Sequence, residues 1–485
     1  MQAIKKLAGQ TAIYGLSSML GRFINFLLVI PHTQKLNSIG DYGNLTALFA
    51  IIAFLNIVLT YGMETSYFNF IRNGVDAEKV FKTSQTSVWI TTLFFAIVVL
   101  LFSQSSASIL GFPGRLDYLF PCLMFLVFDT LSALPFAKLR QQERPLKFAL
   151  IKLSNIFVNV GLNLWFLFYT PSVLADFSQV TLVLFANAIA SVVAFLLLMP
   201  SVFNISLKID FKLLKRILSY AWPLIFIGLA GIVNETLDRV LLIRILPIGE
   251  GSYQNGIYGA FYKLTMVMTM FVQAYKFAAE PFFFKQKESQ GNRVIYAVTM
   301  YWFVAVCSFI FLLCMIFIED LAHLFIKNKA YFDDKNGLFI VPILLMANLF
   351  LGIYYNLSIW YKLTNNTKIG ALVSIIAALL TIGLNIFLIP IYGFVACAFI
   401  TLLVYVVMCV ASYVIGNKYF KVPYFIYKYL IIIASSIVLW LLNSYIESHY
   451  CVKFIRFINK FSVLAFMVLI IWLLKPQEKN NKFVS

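Results

Sequence analysis

Long apolar segments constrain the fold of this chain more than any motif does. A helix needs about 20 residues to cross the hydrocarbon core of a bilayer, because each residue adds about 1.5 Å. Fourteen such segments follow one another through the 485 residues, near 9–31, 42–63, 83–103, 116–137, 148–170, 177–199, 218–243, 255–279, 294–317, 337–360, 369–389, 391–414, 425–444 and 456–474. The sequence therefore predicts an all-α polytopic membrane protein with about 14 transmembrane helices.

The composition excludes several other classes of protein. Hydrophobic residues make up 61% of the chain and charged residues 12%, against roughly 45–50% and about 25% in soluble domains. A soluble enzyme, a disordered chain and a disulfide scaffold are excluded. The six cysteines lie mostly in apolar segments without a C-x-x-C pair, and the three histidines are assigned to separate loops. The sequence thus predicts no metal site.

Positive charges predict the orientation in the membrane. The formal net charge is +18. Of the 38 Lys and Arg, 24 lie in the two tails and in the loops on the same side of the membrane as the N-terminus. The opposite loops hold nine. Lys and Arg accumulate in cytoplasmic loops, so both termini are expected in the cytoplasm. No loop exceeds about twenty residues, which leaves no room for a nucleic-acid-binding or catalytic domain.

An internal repeat divides the chain into halves. Matching landmarks follow one another at nearly equal spacing: Arg22, Gly43, Glu64 and Gly161-Leu162-Asn163 in the first half, and Arg239, Gly259, Glu280 and Gly383-Leu384-Asn385 in the second. Each half holds six spans, so an axis along the membrane normal is expected to relate them. The predicted lobes are residues 1–205 and 206–416, and residues 417–485 add two helices and a cytoplasmic tail.

Several local motifs resemble those of one family. They are Pro135 with Lys138-Leu139-Arg140-Gln141-Gln142-Glu143-Arg144, Tyr220-Ala221-Trp222-Pro223-Leu224 after a basic loop at Phe211-Lys212-Leu213-Leu214-Lys215-Arg216, Asp238-Arg239, Gly256-Ile257-Tyr258-Gly259, Glu280-Pro281, and Asn385 with Pro390-Ile391-Tyr392-Gly393. Together they resemble the polysaccharide-biosynthesis and O-antigen (Wzx-type) flippases of the multidrug/oligosaccharidyl-lipid/polysaccharide exporter superfamily. The resemblance spans essentially the whole chain.

The resemblance implies a flippase rather than an enzyme. Such a protein moves an undecaprenyl-pyrophosphate-linked oligosaccharide from the cytoplasmic to the periplasmic leaflet of the bacterial inner membrane. Two lobes alternately open a central cavity to either side. The implied partners are the lipid-linked oligosaccharide, membrane lipids, and the glycosyltransferases or polymerase of the same pathway. No cofactor is expected beyond a coupling ion, H⁺ or Na⁺.

Unpaired cations inside the spans are the predicted substrate-binding residues. An ionisable side chain in the membrane costs several kcal/mol, so each one is a functional candidate. Arg22 and Lys263 have no carboxylate one helical turn away, and Arg239 matches Arg22 in the repeat. Because guanidinium and ammonium groups bind phosphate, these three are expected to hold the pyrophosphate. The alternative is that they pair with Asp129, Glu235 or Asp238 across helices.

Other polar side chains in the spans receive coupling or structural roles. Asp129 and Asp238 are candidates for carrying H⁺ or Na⁺. Glu64 and Glu280 lie near cytoplasmic span ends, where a structural or gating role is expected. Asn155, Asn159 and Asn163 share one helix face, and helix-to-helix hydrogen bonding is favoured over sugar contact.

Other functions remain as alternatives. No residue distinguishes a lipid II flippase from a polysaccharide flippase. A multidrug or cation exporter has the same architecture, but Arg22 and Lys263 disfavour it. A membrane enzyme would need a catalytic loop, and the segment 318–337 carries four acidic residues without a motif. A channel is a further alternative, but a two-lobed repeat suits alternating access better.

Overall fold

The computed structural model describes residues 19–170, 172–201, 209–288, 293–364, 366–449 and 453–476. Helices dominate these residues, and none of them forms a strand. The helices are α1 Val29–Lys35, α2 Ile39–Thr60, α3 Met63–Arg72, α4 Ala77–Leu101, α5 Ser103–Leu110, α6 Leu116–Gln141, α7 Pro145–Phe168, α8 Gln179–Leu198, α9 Phe211–Ile245, α10 Glu250–Leu264, α11 Met266–Glu288, α12 Val294–Ile316, α13 Ile318–Phe325, α14 Asn336–Leu357, α15 Ile359–Leu363, α16 Thr367–Tyr392, α17 Phe394–Tyr419, α18 Ile426–His449 and α19 Lys453–Leu473. The predicted all-α polytopic class is confirmed.

Twelve helical segments of the described residues are long and apolar enough to cross a membrane. They correspond to twelve of the fourteen predicted spans. The first predicted span begins outside the described residues, and the predicted span 255–279 is broken at Thr265, where α10 ends and α11 begins. The count of fourteen therefore stays a prediction. Large apolar side chains such as Phe94, Leu101 and Trp472 are exposed, as expected for helices that face lipid.

The chain forms two compact units. The first contains residues 1–263, 326–337 and 374–397, and the second contains 264–325, 338–373 and 398–485. In the first unit, α6 and α7 pack along α8, and α9 packs along α2. In the second unit, α12 packs along α18, and α18 along α19.

The longest helix is α9, with 35 residues. At about 1.5 Å per residue it extends over roughly 50 Å, well beyond the hydrocarbon thickness of about 30 Å. The basic segment 211–216, expected to be a loop, forms its first turns. Asp210 caps the helix by accepting a hydrogen bond from the backbone N–H of Leu213 at 2.9 Å.

Backbone breaks shape the first two helical segments. Leu28 is a turn residue between helical residues 19–27 and α1, and Pro31 lacks the N–H that would continue the preceding helical ladder. Between α2 and α3, Tyr61 and Gly62 both have positive φ angles, 31° and 70°. Two left-handed residues in succession end α2 and redirect the chain into α3.

Glycines bring α2 and α10 into backbone contact within the first unit. A Cβ at Gly43 would lie 1.9 Å from the carbonyl oxygen of Ser252, and a Cβ at Gly256 would lie 2.1 Å from that of Ile39. The side chain of Asn255 donates to the Gly43 carbonyl at 2.7 Å. These two glycines therefore set the distance between the two helices.

Candidate functional site

A cavity of about 520 Å³ lies within the first unit, and polar and apolar side chains line it in equal number. The segment 25–32 and the six helices α2, α6, α7, α8, α9 and α10 contribute to it. The polar side chains of its wall are Asn25, His32, Tyr42, Thr46, Asn56, Asp129, Asn159, Asn187 and Lys263. Polar groups between apolar helices are costly unless they serve packing or a ligand. This cavity is the candidate functional site.

Lys263 is the predicted substrate-binding residue that the structure brings to the cavity. It belongs to the last turn of α10. In the part of the chain that the structure describes, no carboxylate forms an ion pair with it. The positive charge of Arg239 repels the ammonium group of Lys263. That ammonium group in turn disfavours a positive charge on the neighbouring His32 imidazole. An ammonium group held this way is suited to an anionic guest.

Arg239 and Arg22 are placed differently from Lys263. The guanidinium of Arg239 stacks over the ring of Tyr262, 4.6 Å from its centroid, and is not part of the cavity wall. Tyr262 precedes Lys263 in α10, so Arg239 lies beside the site. Arg22 is exposed and lies one helical turn before the cavity residue Asn25. Neither residue is brought into direct contact with Lys263.

The two predicted coupling carboxylates have different surroundings. Asp129 of α6 lies in the cavity wall, where its Oδ2 accepts a hydrogen bond from the amide of Asn56 at 2.9 Å. Asp238 of α9 is 6% exposed. It accepts from the Tyr258 hydroxyl at 2.5 Å and from the backbone N–H of Arg239 at 2.8 Å. Asp129 is thus the carboxylate with access to the cavity.

The asparagines of α7 form a hydrogen-bonded chain. The Nδ2 of Asn163 donates to the backbone oxygen and the Oδ1 of Asn159, both at 2.8 Å. The Nδ2 of Asn159 donates to Asn25 at 3.2 Å, and the Oδ1 of Asn163 lies 3.0 Å from the Nε2 of His32. Asn155 is half-buried on the same helix. The contacts of Asn159 and Asn163 are the kind that bind helices to one another.

Glu64 lies in the first turn of α3 and forms an ion pair with Arg140 of α6 at 2.6 Å. Both side chains are partly exposed. The side chain of Glu280 lies outside the described residues.

Replacing Glu64 with glutamine is expected to lower the free energy of unfolding by no more than about 1 kcal/mol, because partly exposed ion pairs contribute little. Denaturant titration of the detergent-solubilised protein measures this, with Glu78→Gln as the comparison, since Glu78 pairs with Lys138 at 3.1 Å. A loss of several kcal/mol for Glu64→Gln alone would contradict the assignment of a simple surface pair.

Sequence reasoning missed several residues of the cavity wall. It placed His32 in a loop, which is wrong: His32 lies in α1 and is buried. His323 and His449 also lie in helices, α13 and α18. Asn25, Asn56 and Asn187 were not singled out. The sequence does mark these three residues, because each is an amide side chain within an apolar segment. Burying such a polar group without a hydrogen bond costs free energy, as burying a charge does.

Comparisons with known proteins agree with the fold. The sequence profile described as "Polysaccharide biosynthesis protein" matches residues 7–287, more than half of the chain. A search of proteins with curated descriptions gave no significant match.

The solved structures that share this fold include membrane transporters. The lipid II flippase MurJ in an inward closed conformation superposes with a TM-score of 0.72 at 14% identity, over 95% of this chain and 98% of that one. An inward-facing multidrug resistance transporter of the MATE family, in the MOP superfamily, gives 0.64 at 13% identity, over 86% and 97%. The Vibrio cholerae MATE transporter VcmN in the bent form gives 0.56 at 14% identity, over 86% and 98%.

The apolar helices and their arrangement define a multi-pass membrane protein with the fold of the MurJ and MATE transporters. More particularly, the profile match at residues 7–287 includes every lining residue of the cavity. The chain belongs to the polysaccharide biosynthesis protein family.

Proposed function

We propose that this protein translocates an undecaprenyl-pyrophosphate-linked oligosaccharide from the cytoplasmic to the periplasmic leaflet by alternating access. The observation that carries the proposal is Lys263, a cation without an ion-pair partner among the described residues, in the wall of the cavity. A cation in that setting needs a mobile anion, and a diphosphate supplies one. The family membership agrees with a lipid-linked sugar as the cargo.

The three predicted cations have separate parts in this proposal. Lys263 holds the diphosphate in the cavity. Arg239 stacks over the ring of Tyr262, the residue before Lys263, and adds positive potential there. Arg22, exposed one turn before Asn25, meets the headgroup as it enters or leaves. The lipid tail stays in the bilayer, where exposed apolar side chains face hydrocarbon.

The proposed setting is the bacterial inner membrane with both termini in the cytoplasm, as the distribution of Lys and Arg favours. In this orientation the Glu64–Arg140 pair faces the cytoplasm. The proposed moving parts are the two lobes of the sequence repeat, 1–205 and 206–416, with residues 417–485 attached. The glycosyltransferases or polymerase of the same pathway would supply and consume the cargo.

Asp129 and Asp238 are proposed to couple transport to an H⁺ or Na⁺ gradient. Translocation in proteoliposomes is expected to accelerate severalfold when a gradient of the coupling ion is imposed, and Asp129→Asn is expected to remove that acceleration. A neutral amide can still accept from Asn56 but cannot bind a proton or balance Na⁺. Gradient-driven acceleration that survives in both Asp129→Asn and Asp238→Asn would contradict the coupling proposal.

A second candidate function is export of an organic cation, which the carboxylate of Asp129 in the same wall favours. Purified protein in liposomes distinguishes the candidates. A labelled undecaprenyl-pyrophosphate oligosaccharide, lipid II and a cationic dye are offered separately, and arrival on the opposite side is measured by quenching. Transport of the oligosaccharide lipid supports the proposal, whereas transport of the dye alone contradicts it.

A further inference from the structure

We infer that the cavity takes a neutral sugar headgroup and discriminates against acidic sugars. The inference rests on the proposed function and names the class of sugar that the same site would carry. It follows from the hydrogen-bonding groups of the wall and from the charges beside them.

Three carboxamides give the wall its capacity for sugar hydroxyls. In the described structure, Asn25 accepts from Asn159 at 3.2 Å, Asn56 donates to Asp129 at 2.9 Å, and Asn187 donates to the Val183 carbonyl at 2.9 Å. A carboxamide offers two donors and two acceptor positions, so most of the capacity of these three side chains is unused. Groups that both donate and accept are complementary to hydroxyls, which do the same.

The wall itself offers one Lys or Arg side chain, and the diphosphate takes it. Among the described lining residues Lys263 is the one Lys or Arg side chain, and Asp129 is the one carboxylate. The diphosphate of the cargo already engages Lys263. The carboxylate of a uronic acid would then share the cavity with the carboxylate of Asp129 and find no second cation in the wall, since the nearby Arg239 and Lys152 lie over the rings of Tyr262 and Phe136. Two carboxylates in one site repel each other.

Two matched probes test this inference: farnesyl-pyrophosphate-linked glucose and farnesyl-pyrophosphate-linked glucuronic acid. Binding to the purified full-length protein is measured by calorimetry, and translocation is measured in proteoliposomes. The glucose probe is expected to bind at least about tenfold more tightly, a difference of about 1.4 kcal/mol. Equal binding of the two probes would overturn the inference.

Asn187→Lys places a new cation in the cavity wall and is expected to reduce the preference to about threefold or less by strengthening binding of the glucuronic acid probe. Asn187→Gln also lengthens the side chain but adds no charge, so it is expected to keep the discrimination. The same ratio in both variants would contradict the role of charge.

If binding is selective but no probe is translocated, the inference is supported and the proposed transport is wrong. If both probes are translocated at equal rates, transport is supported and the inference is wrong.

Discussion

Lys263→Met is expected to slow translocation of the pyrophosphate-linked substrate by about 100-fold. A hydrogen bond to a charged group contributes about 1.5–3 kcal/mol, and a diphosphate left without its cation costs more. About 3 kcal/mol corresponds to roughly two orders of magnitude in binding. The proteoliposome assay measures the effect, and the amount of reconstituted protein is quantified in parallel.

Two controls separate this effect from a loss of folding or of net charge. Lys212→Met removes an exposed charge at the start of α9 and is expected to transport normally. Lys263→Arg keeps the charge and is expected to retain part of the activity, since the planar guanidinium differs in shape. Lys263→Met should melt at or above the wild-type temperature, because a desolvated cation has been removed. Wild-type transport by correctly reconstituted Lys263→Met would refute the proposed role.

The second large effect is expected from Gly43→Ala. Its Cβ would lie 1.9 Å from the Ser252 oxygen and 2.7 Å from the Gly256 nitrogen, both backbone atoms that cannot rotate away. Overpacking costs about 1–3 kcal/mol or occasionally more, so the melting temperature should fall by several degrees. Thermal unfolding in detergent, followed by intrinsic fluorescence, measures it.

Gly161→Ala is the matched control, because a Cβ there meets no atom within 4 Å. It should be neutral or slightly stabilising, since alanine favours a helix over glycine. Gly256→Ala strains the same pair of helices, so the double variant with Gly43→Ala should lose less than the sum of the two single losses. If Gly43→Ala melts like Gly161→Ala, the close contact between α2 and α10 is wrong.

The helices were predictable because a membrane-spanning chain has few ways to satisfy its backbone. Hydrophobic length alone places twelve helices close to their observed bounds. Glycine and proline positions refine these bounds: the predicted division at Pro390 falls three residues later, at Gly393, whose φ of 57° ends α16. The break at Thr265 is not visible in hydropathy, because this residue lies within the apolar stretch 264–272, whereas the predicted span end at 63 falls two residues after the break at Tyr61.

The cavity was only partly predictable, because its wall depends on contacts between distant segments. Lys263 was found from its charge and its lack of a local partner. His32 was not, since its hydrogen-bond partner Asn163 is 131 positions away. Asn56 and Asn187 carry no charge, and a single sequence does not reveal which face of a helix is turned inward. Charge is visible in sequence, whereas the complementarity of neutral groups appears only after packing.

The asparagine chain on α7 also fixes where the hydrogen of the neutral His32 imidazole resides. A backbone carbonyl can only accept, so the Asn163 amide nitrogen must face the Asn159 oxygen, and the Asn163 oxygen must face His32. The imidazole nitrogen Nε2 is then obliged to donate, which selects the Nε2–H tautomer and leaves Nδ1 with its lone pair. Nitrogen-15 spectra of the labelled ring should therefore show a pyrrole-like Nε2 and a pyridine-like Nδ1.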